Sequence, residues 1–393
     1  MQDNRLHVLV MPHQFPSADE DIAGIFVRDY IEAIKPYCDV SVLMPGNEHR
    51  SGTARLARAP DGIQYIACTP RLRGGERMQR LGRMESLHRL GRASSALPNV
   101  DLIHAHGAMF HGLPASRLGR KLGIPVALTV HTGPFDKLLR RATTRWLTRR
   151  TLEHVDCVCP VSDDLRRQIE NAGIRPKRAE VTYNPVDTDL FLPVASNGAA
   201  PKRIAFAGRL EEYKGGLRVV KAFAEVAGRW PDWTLSIAGD GPERRAIQAF
   251  LDGSPALNGR VDLLGGYTKA ELAALFAASA FFVYPSRHET FGLVLAEAMS
   301  AGLPVIGPNC TAPPEYIDAR SGLLVPPDDL SAIARAMEQM LETHASYDRD
   351  GIRGRVVERF GLVSFGRRLL DTYRSLLAAP TSHRNPMCAE SRV

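Results

Sequence analysis

Cysteine is scarce and scattered in this 393-residue chain, at Cys38, Cys68, Cys157, Cys159, Cys310 and Cys388. There is no C-x-x-C spacing and no histidine-paired metal pattern, which excludes the usual sequence signs of a bound metal. A reduced compartment is the expectation. The one C-x-C pair, Cys157 and Cys159, lies in an apolar run and reads as small core residues. No apolar run reaches the ~20 residues needed to span a bilayer. The first residues lack the charged-then-apolar pattern of a secretory signal, so a cytoplasmic location is expected. No G-x-G-x-x-G follows a strand in either half, which argues against a dinucleotide-dependent oxidoreductase. The Walker spacing with Lys-Ser/Thr is missing, as is any recognised nucleic-acid motif.

What is present is an ordinary globular composition, 44% hydrophobic and 24% charged, in a chain long enough for two domains. The net charge of +7 is concentrated locally. One basic run lies between Arg71 and Arg92, and another, without an acid, between Lys137 and Arg150. Such charge bears on partners and not on fold.

Short apolar runs alternate with amphipathic stretches. Leu6–Met11, Val40–Met44, Leu102–Ile103, Val126–Val130, Val155–Cys159 and Val181–Tyr183 read as strands. A polar, small-residue linker follows at Ala195–Pro201, and the rhythm restarts with strands at Ile204–Ala207, Leu235–Ala238, Val261–Leu264, Phe281–Tyr284, Pro304–Ile306 and Leu323–Val325. Buried strands alternating with helices predict an α/β fold of two doubly wound, Rossmann-like domains facing a cleft. The expected boundaries are 1–194, completed by a helix over 363–378, and 201–360. A disordered tail is expected at 380–393. Ligands in such sheets bind beyond the carboxyl ends of the strands, so the loops there are where to look.

Three such loops carry candidates. Gly208 to Gly216 holds two cations, Arg209 and Lys214, among glycines that admit a ligand to the backbone. A helix starting near Gly216 adds N–H donors, so the segment suits a diphosphate, or a solvated basic turn. Gly239 opens a second glycine-rich loop, suited to close ligand approach or to a tight turn. The third runs from Pro285 to Met299. A helix beginning near Phe291 or Gly292 offers free amides to a phosphate. Glu289 precedes that helix and Glu297 lies within it. Carboxylates accept paired hydroxyl hydrogen bonds, which suits a sugar and a ribose.

Glu289 and Glu297, seven residues apart and followed by Ala301-Gly-Leu-Pro-Val305, resemble the E-x7-E signature of retaining glycosyltransferases. Gly208-Arg-Leu to Lys214-Gly and Asn184-Pro-Val-Asp187 with Phe191 are also similar to that group. The best resemblance is to glycosyltransferase family 4, of GT-B fold, over about Leu6 to Leu377.

The resemblance implies that Glu289 contacts the donor sugar and Glu297 the ribose. It implies that Arg209 and Lys214 neutralise the diphosphate, helped by amides near Thr290, Phe291, Gly292 and Leu293, with Gly208 and Gly239 admitting the ligand. His131, after a strand, would position the sugar, and Gly24 would let sugar and acceptor approach. Ser162 and Arg166 are lesser candidates, and His104 and His106 read as structural. The donor would be a UDP- or GDP-linked sugar, with no cofactor and no metal, since no Asp-x-Asp is placed to bind one. The reaction would retain the anomeric configuration. A sugar-nucleotide epimerase and a non-catalytic carbohydrate-binding relative are the alternatives. The expected acceptor is a glycan or lipid-linked saccharide in surface polysaccharide synthesis.

Within the second basic run, Lys137, Arg141, Arg145 and Arg149 recur every four residues beside Leu138, Leu139, Ala142 and Trp146. The spacing predicts one basic amphipathic helix, either docking on an anionic membrane surface at the inner face of the cell membrane or simply solvated. No nucleic-acid partner is expected.

Overall fold

The computed structural model describes residues 5–12, 25–45, 54–58, 64–68, 99–109, 111–193 and 201–379. Gly24, the Arg71–Arg92 run and the 380–393 tail lie outside the described residues. The chain divides into two compact units, one of residues 1–183 with 365–393, the other of residues 184–364.

The first unit is built on a seven-stranded sheet of order β3-β4-β2-β1-β5-β6-β7. Its strands are β1 (Leu6–Met11), β2 (Cys38–Pro45), β3 (Ala54–Arg58), β4 (Gln64–Cys68), β5 (Leu102–His106), β6 (Val126–Val130) and β7 (Cys157–Pro160). All pairs are parallel except β3 with β4. That antiparallel edge pair is missing from the sequence reading: Arg55 and Arg58 interrupt β3, and β4 offers only the short run Tyr65–Cys68. β5 and β6 are buried at every position, as a sheet covered on both faces requires. The helices here are α1 (Ile25–Ile34), α2 (Gly112–Leu122), α3 (Asp136–Leu139), α4 (Ala142–His154) and α5 (Asp163–Asn171).

Val181–Tyr183 is not a strand. The chain from Arg178 to Thr182 runs beside β7, with Val158 N–H donating to Arg178 O at 2.9 Å, Glu180 N–H to Val158 O at 2.9 Å and Thr182 N–H to Pro160 O at 3.1 Å, and pairs there through an isolated bridge of Ala179 with Val158. Tyr183 then turns into the left-handed region, with φ of 55°, where a ladder ends.

The second unit is a wholly parallel six-stranded sheet of order β10-β9-β8-β11-β12-β13. Its strands are β8 (Arg203–Ala207), β9 (Thr234–Ala238), β10 (Val261–Gly265), β11 (Phe281–Val283), β12 (Val305–Pro308) and β13 (Gly322–Val325). Between them lie α6 (Gly216–Ala227), α7 (Arg244–Asp252), α8 (Lys269–Ala277) and α9 (Leu293–Ser300), followed by α10 (Leu330–Thr343) and α11 (Arg349–Phe360). Strand order reverses at β8, whose neighbours are β9 and β11, and the crevice beyond such a reversal is where doubly wound sheets take ligands.

The boundary falls at Tyr183, upstream of the expected linker, because residues 184–193 are anchored in the second unit. Val186 N–H donates to Phe360 O at 2.8 Å. Phe191 is fully buried, and its carbonyl accepts from Ser300 Oγ at 3.1 Å and Arg353 at 2.9 Å. The last helix, α12 (Leu362–Ala378), starts in the second unit and from Phe365 belongs to the first. There Phe365 packs edge-on to Tyr30 at 4.7 Å, and Thr372 Oγ1 donates to Glu180 at 2.7 Å.

Candidate functional site

The ends of β8, β9 and β10 meet through backbone. Gly208 N–H donates to Ala238 O at 3.0 Å, and Gly239 N–H to Gly265 O at 2.6 Å. Gly239 has φ of 138°, and a Cβ there would stand 1.9 Å from Gly208 O. Only glycine lets these two loops approach so closely.

After β8 the chain makes a single 3-10 turn, Glu212–Lys214, and Gly215, at φ of 87°, leads into α6. The turn aims Lys214 inward, where Nζ lies 2.6 Å from Glu289 Oε1, with the two side chains only 16% and 11% exposed. The ammonium also sits over the rings of Tyr213 at 5.1 Å and Tyr284 at 5.4 Å. Arg209 is 76% exposed and pairs with Glu211. Of the two expected phosphate cations, the structure thus brings Lys214 to the first acid and leaves Arg209 at the surface.

Glu289 is held by its own backbone, whose N–H donates to Thr311 Oγ1 at 3.1 Å in the loop after β12. Thr311 has φ of 57°. Burial first, and then the Glu289 charge, push the Tyr284 phenol well above the usual range, so it keeps its proton.

α9 begins at Leu293, with Gly292 as its N-cap at φ of 83° and no side-chain cap on its first amides. Tyr316 OH donates to Phe291 O at 2.6 Å and lies 3.2 Å from Gly292 O. Phe291 packs against Phe360 at 5.1 Å. These contacts fix the helix start, with Thr290 three residues before Leu293. Glu297 is 6% exposed, which disposes of a solvated position on the helix surface. The phenol of Tyr267 is pushed up by burial and then by the Glu297 charge.

Arg218 ties the loops after β8 and β11 together, donating to Glu212 O at 3.0 Å and Pro285 O at 3.1 Å. Its burial, followed by the neighbouring Arg287, lowers its pKa. Arg287 in turn pairs with Glu212 at 2.8 Å and Asp328 at 2.5 Å. Sequence reasoning missed Arg218, Tyr284, Thr311 and Tyr316. Thr311 and Tyr316 belong to a loop beyond the carboxyl end of β12, and the strand-end rule applied to that loop points to them.

In the first unit His131 follows β6 directly, half-buried, with Nε2 3.0 Å from His106 Nδ1. Ser162 Oγ caps α5 by accepting from Leu165 N–H at 3.1 Å, and Arg166 pairs with Asp163 at 2.8 Å and Glu170 at 2.7 Å, so both are engaged in the helix itself. Cys157 and Cys159 are buried, with their sulfurs 3.9 Å apart.

The second basic run is two helices, not one. It breaks at Arg141, whose backbone is extended, and Arg145 Nε caps Leu139 O, one of the last carbonyls of α3, at 2.8 Å. Lys137 therefore does not share a helix with Arg141, Arg145 and Arg149. On α4, Trp146 is 58% exposed and Arg150 lies 5.6 Å over its ring. Among the described residues no helix is long and apolar enough to cross a membrane, and no three or more His, Cys, Asp or Glu are grouped to hold a metal ion.

Residues 24–190 match the family described as Glycosyltransferase Family 4, and residues 201–343 match Glycosyl transferases group 1. Among curated proteins, the alpha-maltose-1-phosphate synthase of Mycolicibacterium smegmatis is 26% identical over 407 aligned positions, covering 95% of this chain and 100% of that one. Among solved structures, the sucrose-phosphate synthase of Thermosynechococcus elongatus superposes with a TM-score of 0.75 at 22% identity, over 96% of this chain and 100% of its own. HepE of Anabaena, in complex with UDP and glucose, gives a TM-score of 0.70 at 18% identity, over 94% and 100%.

Proposed function

This chain belongs to glycosyltransferase family 4, with the GT-B fold, and from that premise we propose that it transfers a sugar from a nucleoside diphosphate to a hydroxyl with retention and without a metal ion. It is a glycosyltransferase, and its donor is a nucleotide sugar. The observation that carries the finer reading is the Lys214–Glu289 pair, a nearly buried cation and acid beside the uncapped amides of α9.

In this reading Lys214, Arg209 and the amides of α9 meet the diphosphate, whose charge grows as the bond from the anomeric carbon to the phosphate oxygen breaks. Preorganised cations and amides supply the stabilisation that a metal supplies elsewhere. Glu289 holds the sugar hydroxyls, Glu297 the ribose, and His131 positions the sugar. The acceptor oxygen bonds to the anomeric carbon on the face the diphosphate leaves, and its proton passes to the departing phosphate oxygen. No protein nucleophile takes part. We assign the acceptor as a lipid-linked saccharide of a surface polysaccharide, reached from the cytoplasmic side through the exposed, basic α4.

The test is a thermal-shift screen against UDP, GDP, ADP and their sugars, repeated on Glu297→Ala, followed by NMR of the product with EDTA present. Stabilisation by one nucleotide, weakened in the variant, and a product of unchanged anomeric configuration are expected. An inverted product, or activity abolished by EDTA, overturns the mechanism.

A further inference from the structure

Four histidines stand together in the first unit, two of them on one strand. His104 and His106 lie two residues apart on β5, so both point to the same face, and their rings stack at 4.6 Å. His131, at the end of the neighbouring strand, stacks on His106 at 5.3 Å with 13° between the planes. Tyr30 presents its edge to all three rings, and its hydroxyl donates to Tyr183 O at 2.6 Å. His104 has hydroxyl partners on both sides, Tyr373 OH 2.6 Å from Nδ1 and Thr129 Oγ1 2.7 Å from Nε2.

His106 differs. Its Nδ1 faces His131 Nε2 at 3.0 Å, and its own Nε2 is buried with no hydrogen-bond partner among the described residues. Burial, reinforced by His104, His131 and His111 around it, keeps this imidazole neutral. A neutral ring carries one proton, on one of two nitrogens. A proton on Nε2 leaves a buried N–H without an acceptor, the costlier kind of orphan. A proton on Nδ1 is donated to His131.

We infer that His106 is a positioning residue, which donates from Nδ1 to His131 Nε2 and so fixes His131 as the Nδ1–H tautomer. The inference rests on the reading of His131 as the residue that positions the sugar. It specifies that any hydrogen bond from His131 Nδ1 to a sugar oxygen is one that His131 donates, a polarity set by a side chain that touches no substrate.

The experiment is a long-range 1H–15N correlation spectrum of the full chain labelled on histidine nitrogen, at neutral pH, with the signals of His131 identified by their loss in His131→Gln. The expected spectrum has His131 protonated at Nδ1 with a bare Nε2. A His131 protonated at Nε2, or doubly protonated, overturns the inference. The spectrum needs no substrate, so it stands or falls separately from the donor reading. A kinetic arm separates positioning from packing. His106→Asn keeps an N–H where Nδ1 was and retains kcat/KM for the donor, whereas His106→Leu loses it about tenfold, as one hydrogen bond is worth. Equal kcat/KM in the two variants overturns the inference as well.

Discussion

At the residue scale the site turns on one ammonium. Lys214 meets a carboxylate and two aromatic faces while staying only 16% exposed, so it is positioned before any ligand arrives. Preorganised charge of this kind is worth far more in a water-poor pocket than at the surface. Lys214→Ala removes it and leaves Glu289 without its partner, and the expected loss in kcat/KM is on the order of a hundredfold, read from steady-state kinetics with the nucleotide sugar. Arg209, exposed and already paired with Glu211, is expected to cost several-fold less as Arg209→Ala in the same assay. Equal losses would show that the two cations share the diphosphate evenly. Glu289, Glu297 and Lys214 were legible from the sequence because their spacing survives as local structure, one turn and one helix start. Tyr284, Thr311, Tyr316 and Arg218 were not. Their importance lies in contacts across the sheet that no spacing within a segment encodes.

At the element scale the loops depend on glycine backbone, not on side chains. Gly239→Ala places a Cβ 1.9 Å from Gly208 O, with φ at 138°, and neither loop has room to yield. A cost of at least about 2 kcal/mol is expected, a fall of roughly 4–8 °C in Tm for a unit of this size. Gly228, in ordinary helical conformation, has nothing within 4 Å of where a Cβ would stand, and Gly228→Ala serves as the neutral control in the same melt. The parallel strands were readable because each is a buried apolar run. The antiparallel pair β3–β4 and the break at Arg141 were not, since Arg55 and Arg58 interrupt β3 and the Leu139 carbonyl is capped by a guanidinium six residues on.

At the scale of the whole molecule, one part of the excess positive charge has an address. α4 carries Arg145, Arg149 and Arg150 with an exposed Trp146, an arrangement suited to an anionic lipid surface. The full chain is expected to co-sediment with phosphatidylglycerol vesicles at low salt and to release at high salt. Trp146→Ala combined with Arg149→Glu and Arg150→Glu should abolish sedimentation while leaving transfer to a soluble acceptor intact. Binding that survives all three changes would place the contact elsewhere.

The path of α12 has a consequence for how the chain is made. The second unit is one unbroken stretch, 184–364, whereas the first takes its last helix from beyond it. Tyr373, which closes on His104, and Phe365, which covers Tyr30, are synthesised only after the whole of 184–364. The first unit, begun before the second, is therefore completed after it. Its histidine-lined interior waits, without its last helix, for the whole of the second unit to be synthesised.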